Sequence, residues 1–149
     1  QHMGGLVGLL TGEGDEEAAL KAARRTLERA EAALQKDPTN SAALAAGASS
    51  LMMLGEVERG KDWVQRALLL DPDNIMVLYN AACSLTFHSL DIEGALELLD
   101  QYFERLESPG NVHHAEIDPD MDPLRDDPRF ESMLSSAKKR LGMEERAEA

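Results

Sequence analysis

The sequence predicts an all-α chain, and three observations carry that expectation. First, "ALQKDPTN" at residues 33–40 returns as "ALLLDPDN" at 67–74, a separation of 34 residues. Ala33, Leu34, Asp37, Pro38 and Asn40 match Ala67, Leu68, Asp71, Pro72 and Asn74, and Leu44, Ala48 and Leu51 match Leu78, Ala82 and Leu85. Second, apolar and small residues between these landmarks recur at the spacing of a helix face. Third, no strand is evident along the 149 residues, a length of about one domain that can bury roughly 70% of its unfolded surface.

The elements follow in order. "QHM" at residues 1–3 reads as a cloning remnant, which would make Gly4 a cut point within a longer polypeptide. Residues 4–14, "GGLVGLLTGEG", are rich in glycine, each costing about 1 kcal/mol in a helix, so a short helix or mobile arm is expected there. An amphipathic helix begins near Asp15 and runs toward Asp37. Residues 41–54 form the next helix, with Leu44, Gly47, Ala48 and Leu51 at helical spacing and Gly55 as a left-handed stop. Residues 57–70 form its partner and bury Val64, Ala67 and Leu68. Pro72 disfavours helical geometry at Asp71, and Asn74 caps the helix that follows. The Asp-Pro-x-Asn punctuation is thus a stop and then a start.

The next hairpin keeps the register in its first helix, but Ala95 falls one residue late relative to Gly60, which places an inserted residue near 88–90. Its second helix, about 91–106, packs Leu96, Leu99 and Phe103. Gly47, Ala48, Ala81 and Ala82 are small because antiparallel helices approach to roughly 8 to 10 Å only where the crossing side chains are short. Residues 108–111 read as a turn. "EIDPDMDPLRDDPRF" places three Asp-Pro steps close together, so an irregular connection with at most single turns is expected. Asp127 then caps a last helix with Pro128 in its first turn and Phe130, Met133, Leu134, Ala137 and Leu141 as its apolar stripe. Lys138, Lys139 and Arg140 suit the negative end of its dipole.

The 34-residue period, the small-residue pairs and the Asp-Pro boundaries resemble the tetratricopeptide repeat over about residues 33–106. That resemblance implies a helical-hairpin superhelix with a C-terminal capping helix: a domain over 15–142, clear repeats at 41–74 and 75–108, a partial repeat ending at 40, a capping segment at 109–142 and a fraying tail at 143–149. The chain departs from the family at Leu44 and Leu78, where an aromatic is usual, and at Gly60, where alanine is preferred. "YNAAC" at 79–83 and "DPDMDPLRDDPRF" at 118–130 also resemble the closing segments of tetratricopeptide modules at the C-terminal ends of bacterial class III adenylate cyclases and related regulators. The implied function is a protein-interaction or regulatory scaffold within a larger signalling protein. A freestanding adaptor that binds an apolar peptide is the alternative, and a small metal-dependent hydrolase a third reading.

In such an array the first helix of each pair lines the concave face. The implied groove is Ala42, Ala45, Ser49, Met52 and Met53 in one repeat and Met76, Tyr79, Asn80, Cys83, Thr86 and Phe87 in the next. Flexible thioethers beside aromatics make an adaptable peptide surface, unless the N-terminal arm or C-terminal helix already covers it. Asn80 matches a residue of family members that clamp a peptide carboxylate. Ala42, Ala46 and Met76 lack the other donors such a clamp needs, so Asn80 is expected to bond locally.

Composition limits the chemistry. Lys plus Arg number 15 and Asp plus Glu 28, a formal net charge of -13, which argues against nucleic acid and anionic lipid. No run is long enough to span a bilayer and no basic-flanked leader is seen, so a cytoplasmic protein is expected. The one cysteine, Cys83, sits mid-helix without a histidine at contact spacing and reads as an inert buried thiol. His113 and His114 with Glu116 and Asp118 invite a metal, but adjacent histidines diverge, and a solvated turn is the simpler reading. Asp118, Asp120 and Asp122 imitate a calcium loop, yet Pro123 stands where the turn needs glycine and Arg129 where the closing glutamate belongs. No catalytic residue, metal ligand or cofactor is therefore assigned; the expected partners are a protein or peptide, another domain of the parent, or a second copy of the chain.

Overall fold

The computed structural model describes residues 3–87 and 90–143. The chain is all-helical: α1 (Met3–Lys36), α2 (Ser41–Met53), α3 (Val57–Leu70), α4 (Ile75–Phe87), α5 (Ile92–Arg105), α6 (Pro109–Ile117), a 3-10 helix (Pro119–Leu124) and α7 (Pro128–Arg140), with no strand among the described residues. None of these helices is long and apolar enough to cross a membrane.

Local chemistry sets the boundaries. Asn40 accepts a hydrogen bond from the Ala43 N–H at 3.0 Å, and Asn74 accepts from Met76 and Val77 at 3.0 and 3.2 Å. The repeated aspartate has its own task. Asp71 Oδ2 accepts from the Asn74 amide at 2.9 Å and from Ser41 Oγ at 3.0 Å, tying the end of α3 to the start of α2. Gly55 takes φ +94 after α2. Leu90 takes φ 55 at the corresponding bend of the second hairpin, and residues 88 and 89 of the stretch 88–90, where the inserted residue is expected, lie outside the described residues.

Positions related by the 34-residue shift form the core. Leu44 and Leu78, Ala48 and Ala82, and Leu51 and Leu85 are all buried. Neighbouring helices pack as hairpins, α2 against α3 and α4 against α5, with α1 lying on α2 and α2 on α4. The small residues are where the helices meet: a Cβ on Gly47 would lie 2.3 Å from Trp63 Cζ3 and one on Gly60 2.9 Å from the Ala48 carbonyl oxygen. Glycine at position 60 thus lets Ala48 and Met52 of α2 sit directly on α3.

Three expectations need correction. Residues 4–14 do not form a separate arm, because α1 runs without interruption from Met3. Extending an existing helix requires no new nucleus, and that stretch contains no proline to end it. Residues 108–111 are not a turn but the start of a helix: Ser108 caps α6, accepting from the Gly110 N–H at 3.2 Å, and Pro109 fills its first position. The connection beyond it is more regular than single turns, since Pro119–Leu124 winds as a 3-10 helix with Pro123 inside. Asp127 caps α7 as expected, accepting from the Arg129 N–H at 2.9 Å. Phe130, Leu134 and Ala137 of its stripe are buried.

The C-terminal elements close over the second hairpin. The 3-10 helix lies on α4, α7 on α5 and α6 on α7. Arg140 of α7 donates to the carbonyls of Phe103 and Leu106, the latter at 2.9 Å, and so satisfies the exposed end of α5. Arg129 grips Glu93 through two 2.9 Å bonds.

Candidate functional site

The first helices of the hairpins and the C-terminal segment enclose a pocket of about 440 Å³. Six expected groove residues line it: Ala45, Ser49, Met76, Tyr79, Asn80 and Cys83. Its remaining wall includes Ala46, Ser84, Tyr102, Asn111, His114, Asp118 and Asp120, most of them beyond the reach of the repeat pattern.

The rest of the expected groove goes elsewhere. Met52 is buried, its side chain lying against Gly60. Thr86 is buried and donates to the Ala82 carbonyl at 2.8 Å. Met53 faces a separate shallow pocket with Ala19, Ala22, Ala23 and Thr26 of α1. Ala42 is exposed outside the pocket, and the Phe87 side chain lies outside the described residues. The stripe is wider than one face of a helix can present to a single groove. Its edges pack instead on α1 and α3.

Tyr79 is held rather than offered. Its hydroxyl donates to Asp118 Oδ2 at 2.6 Å, and its ring stands 4.9 Å from that of Tyr102 and 5.6 Å from that of His114. The C-terminal segment therefore covers part of the face that the resemblance makes a groove. Asp118 also caps the 3-10 helix, accepting from the Asp120 N–H at 3.0 Å, while Arg125 reaches its backbone carbonyl at 2.7 Å. Contrary to expectation, Asn80 makes no side-chain hydrogen bond among the described residues and faces the pocket.

The site is electrically negative. Burial, with the carboxylates of Asp118 and Asp120 adding to it, pushes the Cys83 thiol up to about 12. A thiol so raised carries almost no thiolate at neutral pH, which removes its nucleophilic strength. Burial also raises Tyr79 far above the ordinary phenol range, with Asp118 contributing, and raises Tyr102 to about 12.

The two histidines diverge as adjacent residues on a helix must. His113 faces outward, 3.7 Å from Glu116, whose other oxygen pairs with Lys138, whereas His114 Nε2 lies 3.4 Å from Asp118 Oδ2. They sit on α6 and not in a solvated turn. Donor atoms of Cys83, Asp118 and Asp120 come within 4.8 Å of one another, a grouping the sequence did not indicate. A metal would need Cys83 ionised, which its burial opposes, and both Asp118 oxygens already accept hydrogen bonds. The calcium-loop order is absent, because Asp122 turns away to Arg125 at 2.8 Å.

The spacing of Asn111, His114 and Asp118, at intervals of three and four, places them on one side of a helix. That signal could have identified the second wall had residues 109–117 been read as helical. Comparison with known proteins found no family model that matches the chain and no curated protein that matches it. The fold and site together define an all-helical chain of stacked hairpins with a polar, acidic pocket between first helices.

Proposed function

We propose that the chain is a protein-interaction module of the tetratricopeptide type, with two full repeats and a capping segment, serving as a regulatory scaffold in a larger cytoplasmic signalling protein. The observation that carries this reading is the pocket itself. It opens between first helices of successive hairpins, where Met76 stands 54% exposed and the carboxamides of Asn80 and Asn111 have no hydrogen-bond partner among the described residues. Exposed thioether beside unused carboxamides suits a peptide, whose backbone needs hydrogen bonds and whose side chains need apolar contact.

The narrower reading, a C-terminal module of a class III adenylate cyclase, rests on "YNAAC" and "DPDMDPLRDDPRF". An immunoblot of source-cell lysate with an antibody against this domain tests it first. A band far above 16.3 kDa supports a module in a larger protein, and deletion of residues 15–142 should then change that protein's oligomeric state or cyclase activity. A band at the domain's own size would make it a freestanding adaptor. In either protein, Met76→Glu should abolish partner or interdomain association while leaving the helical circular dichroism intact. Association unchanged by this variant would sink the interaction reading at this pocket.

A further inference from the structure

We propose that the chain associates head to tail with a second copy of itself, the basic outer face of α1 on one copy docking against the acidic groove between α5 and α7 on the next. Both surfaces lie outside the pocket, so the inference stands apart from the reading of what the pocket binds.

The basic face is an exception within this chain. Lys21, Arg24, Arg25 and Arg29 are exposed on α1 at spacings of three and four, close enough to repel one another. With Glu28 the only anion among them, the stretch 21–29 stands at net +3 in a chain of net charge -13. The other described arginines are engaged: Arg59, Arg66, Arg105, Arg125 and Arg129 each pair with a carboxylate, and Arg140 holds two backbone carbonyls. The four cations of α1 make no ion pair or side-chain hydrogen bond among the described residues.

The acidic face is its counterpart. Glu93, Glu97, Asp100 and Glu104 follow one another at spacings of four, three and four along the exposed side of α5. Arg129 takes Glu93, but Glu97, Asp100 and Glu104 have no such partner among the described residues. These acids wall two shallow depressions of about 550 and about 290 Å³ that meet at Asp100 and Met133 along the seam with α7. Leu96, Phe103 and Met133 give the groove apolar contact, and its two arginines, Arg129 and Arg140, are those already engaged.

Charge and dimension match the two surfaces to each other. At 1.5 Å per residue, positions 21 to 29 span about 12 Å of α1 and positions 97 to 104 about 10 Å of α5. Ala18, Ala22 and Ala32 are exposed beside the cations, and short side chains let helices approach closely. A copy does not fill its own groove: the helices pack in the order α1, α2, α4, α5, α7, which assigns the two surfaces to opposite ends, and no residue of α1 lines the groove. Docking therefore leaves one free face at each end, and association of this kind continues beyond a dimer. Exposed ion pairs are individually weak. The association accordingly belongs to concentrations of roughly 100 μM and above, and the dilute chain is monomeric.

The test is sedimentation equilibrium of the full chain from about 10 to about 500 μM. Salt is held at about 0.1 M, where the Debye length of about 10 Å screens the distant charges of two acidic copies but spares ions in contact. The weight-average mass should rise with concentration past twice 16.3 kDa and return to 16.3 kDa in about 1 M salt. Two double variants on exposed positions, Arg25→Glu with Arg29→Glu and Glu97→Lys with Glu104→Lys, should each keep the helical circular dichroism and stay monomeric. An equimolar mixture of the two should regain the mass, because one retains the groove and the other the face of α1.

A mass constant at 16.3 kDa would overturn the proposal, and polyglutamate then shifting the 15N amide signals of Lys21 to Arg29 would assign the basic face to a foreign acidic chain. Association that survives in the groove variant would point to a symmetric contact between copies of α1. Association that survives about 1 M salt would point to an apolar surface. A mixture that fails to regain the mass would show that the two faces do not meet; each of these results overturns the head-to-tail contact and leaves the pocket reading untouched.

Discussion

At the residue scale, glycine and left-handed backbone decide more than the repeat pattern shows. Gly60→Ala would gain about 1 kcal/mol of helix propensity, yet its Cβ would meet the Ala48 carbonyl oxygen at 2.9 Å, an atom that cannot swing aside. The clash wins, so urea unfolding should show a net loss of roughly 1–2 kcal/mol. Leu90 presents the opposite case. It holds φ 55 while 71% exposed, paying about 1 kcal/mol of left-handed strain for little packing. Leu90→Gly should therefore raise the urea midpoint, by the equivalent of about 0.5 kcal/mol after the glycine's unfolded-state entropy is subtracted. Cys83, Tyr102 and Tyr79 govern the alkaline limb. The folded values of Cys83 and Tyr102, about 12, lie above the ordinary 9.0 and 10.0, and burial raises Tyr79 further still, so below pH 9 both states hold the protons and the contribution is complete. As pH rises from there toward 12, the unfolded chain releases protons that the folded chain keeps. Stability falls at about 1.4 kcal/mol per pH unit for each such group. Urea midpoints measured from pH 8 to 11 should decline, and Cys83→Ala should flatten the slope above pH 9.

At the element scale, the hinge of the site is the contact between α4 and the 3-10 helix. Tyr79→Phe removes a 2.6 Å bond to the Asp118 carboxylate and should cost about 2 kcal/mol. The loss should be local as well as global: hydrogen exchange at the Met121 N–H, which is bonded to the Asp118 carbonyl, should accelerate more than exchange in α2. Helices α2 to α5 were legible because their ends are written in adjacent residues, Asn40, Gly55, Asn74 and Asp91, whose side chains or backbone act within a few positions. Helix α6 was not, since only Val112 and Ala115 of its nine residues are buried and its Ser-Pro-Gly start reads equally as a turn. The N-terminal part of α1 is not legible from its glycines, because each is unfavourable alone whereas continuation of a formed helix is cheap. Half of the site was visible as the stripe on α2 and α4. The other half depends on Tyr79 meeting Asp118, a pairing 39 residues apart that no local pattern announces.

At the scale of the whole molecule, the C-terminal segment both closes the core and builds the site. Val112, Ala115, Met121, Leu124, Phe130 and Leu134 are all buried: the 3-10 helix and α7 cover faces of α4 and α5 that would otherwise meet water, and α6 packs on both of those covering elements. A stack of hairpins has no natural end, so its last apolar face must be shielded by a helix with a polar back. Here that shield also brings Asp118 and Asp120 to the pocket. Stability and recognition are consequently coupled. Ending the chain after residue 107 should expose the second hairpin and lower the melting temperature by more than 10 °C, since losing several buried side chains removes many times the roughly 1 kcal/mol that shifts a domain of this size by a few degrees. The shortened chain should also self-associate on size-exclusion chromatography, as an uncovered apolar face seeks another. Supplying residues 108–143 as a separate peptide should restore the monomer and the melting temperature if the segment acts as a docked cap. A truncated chain that stays monomeric and melts unchanged would show that the hairpins close their own core, leaving the segment only its part in the pocket.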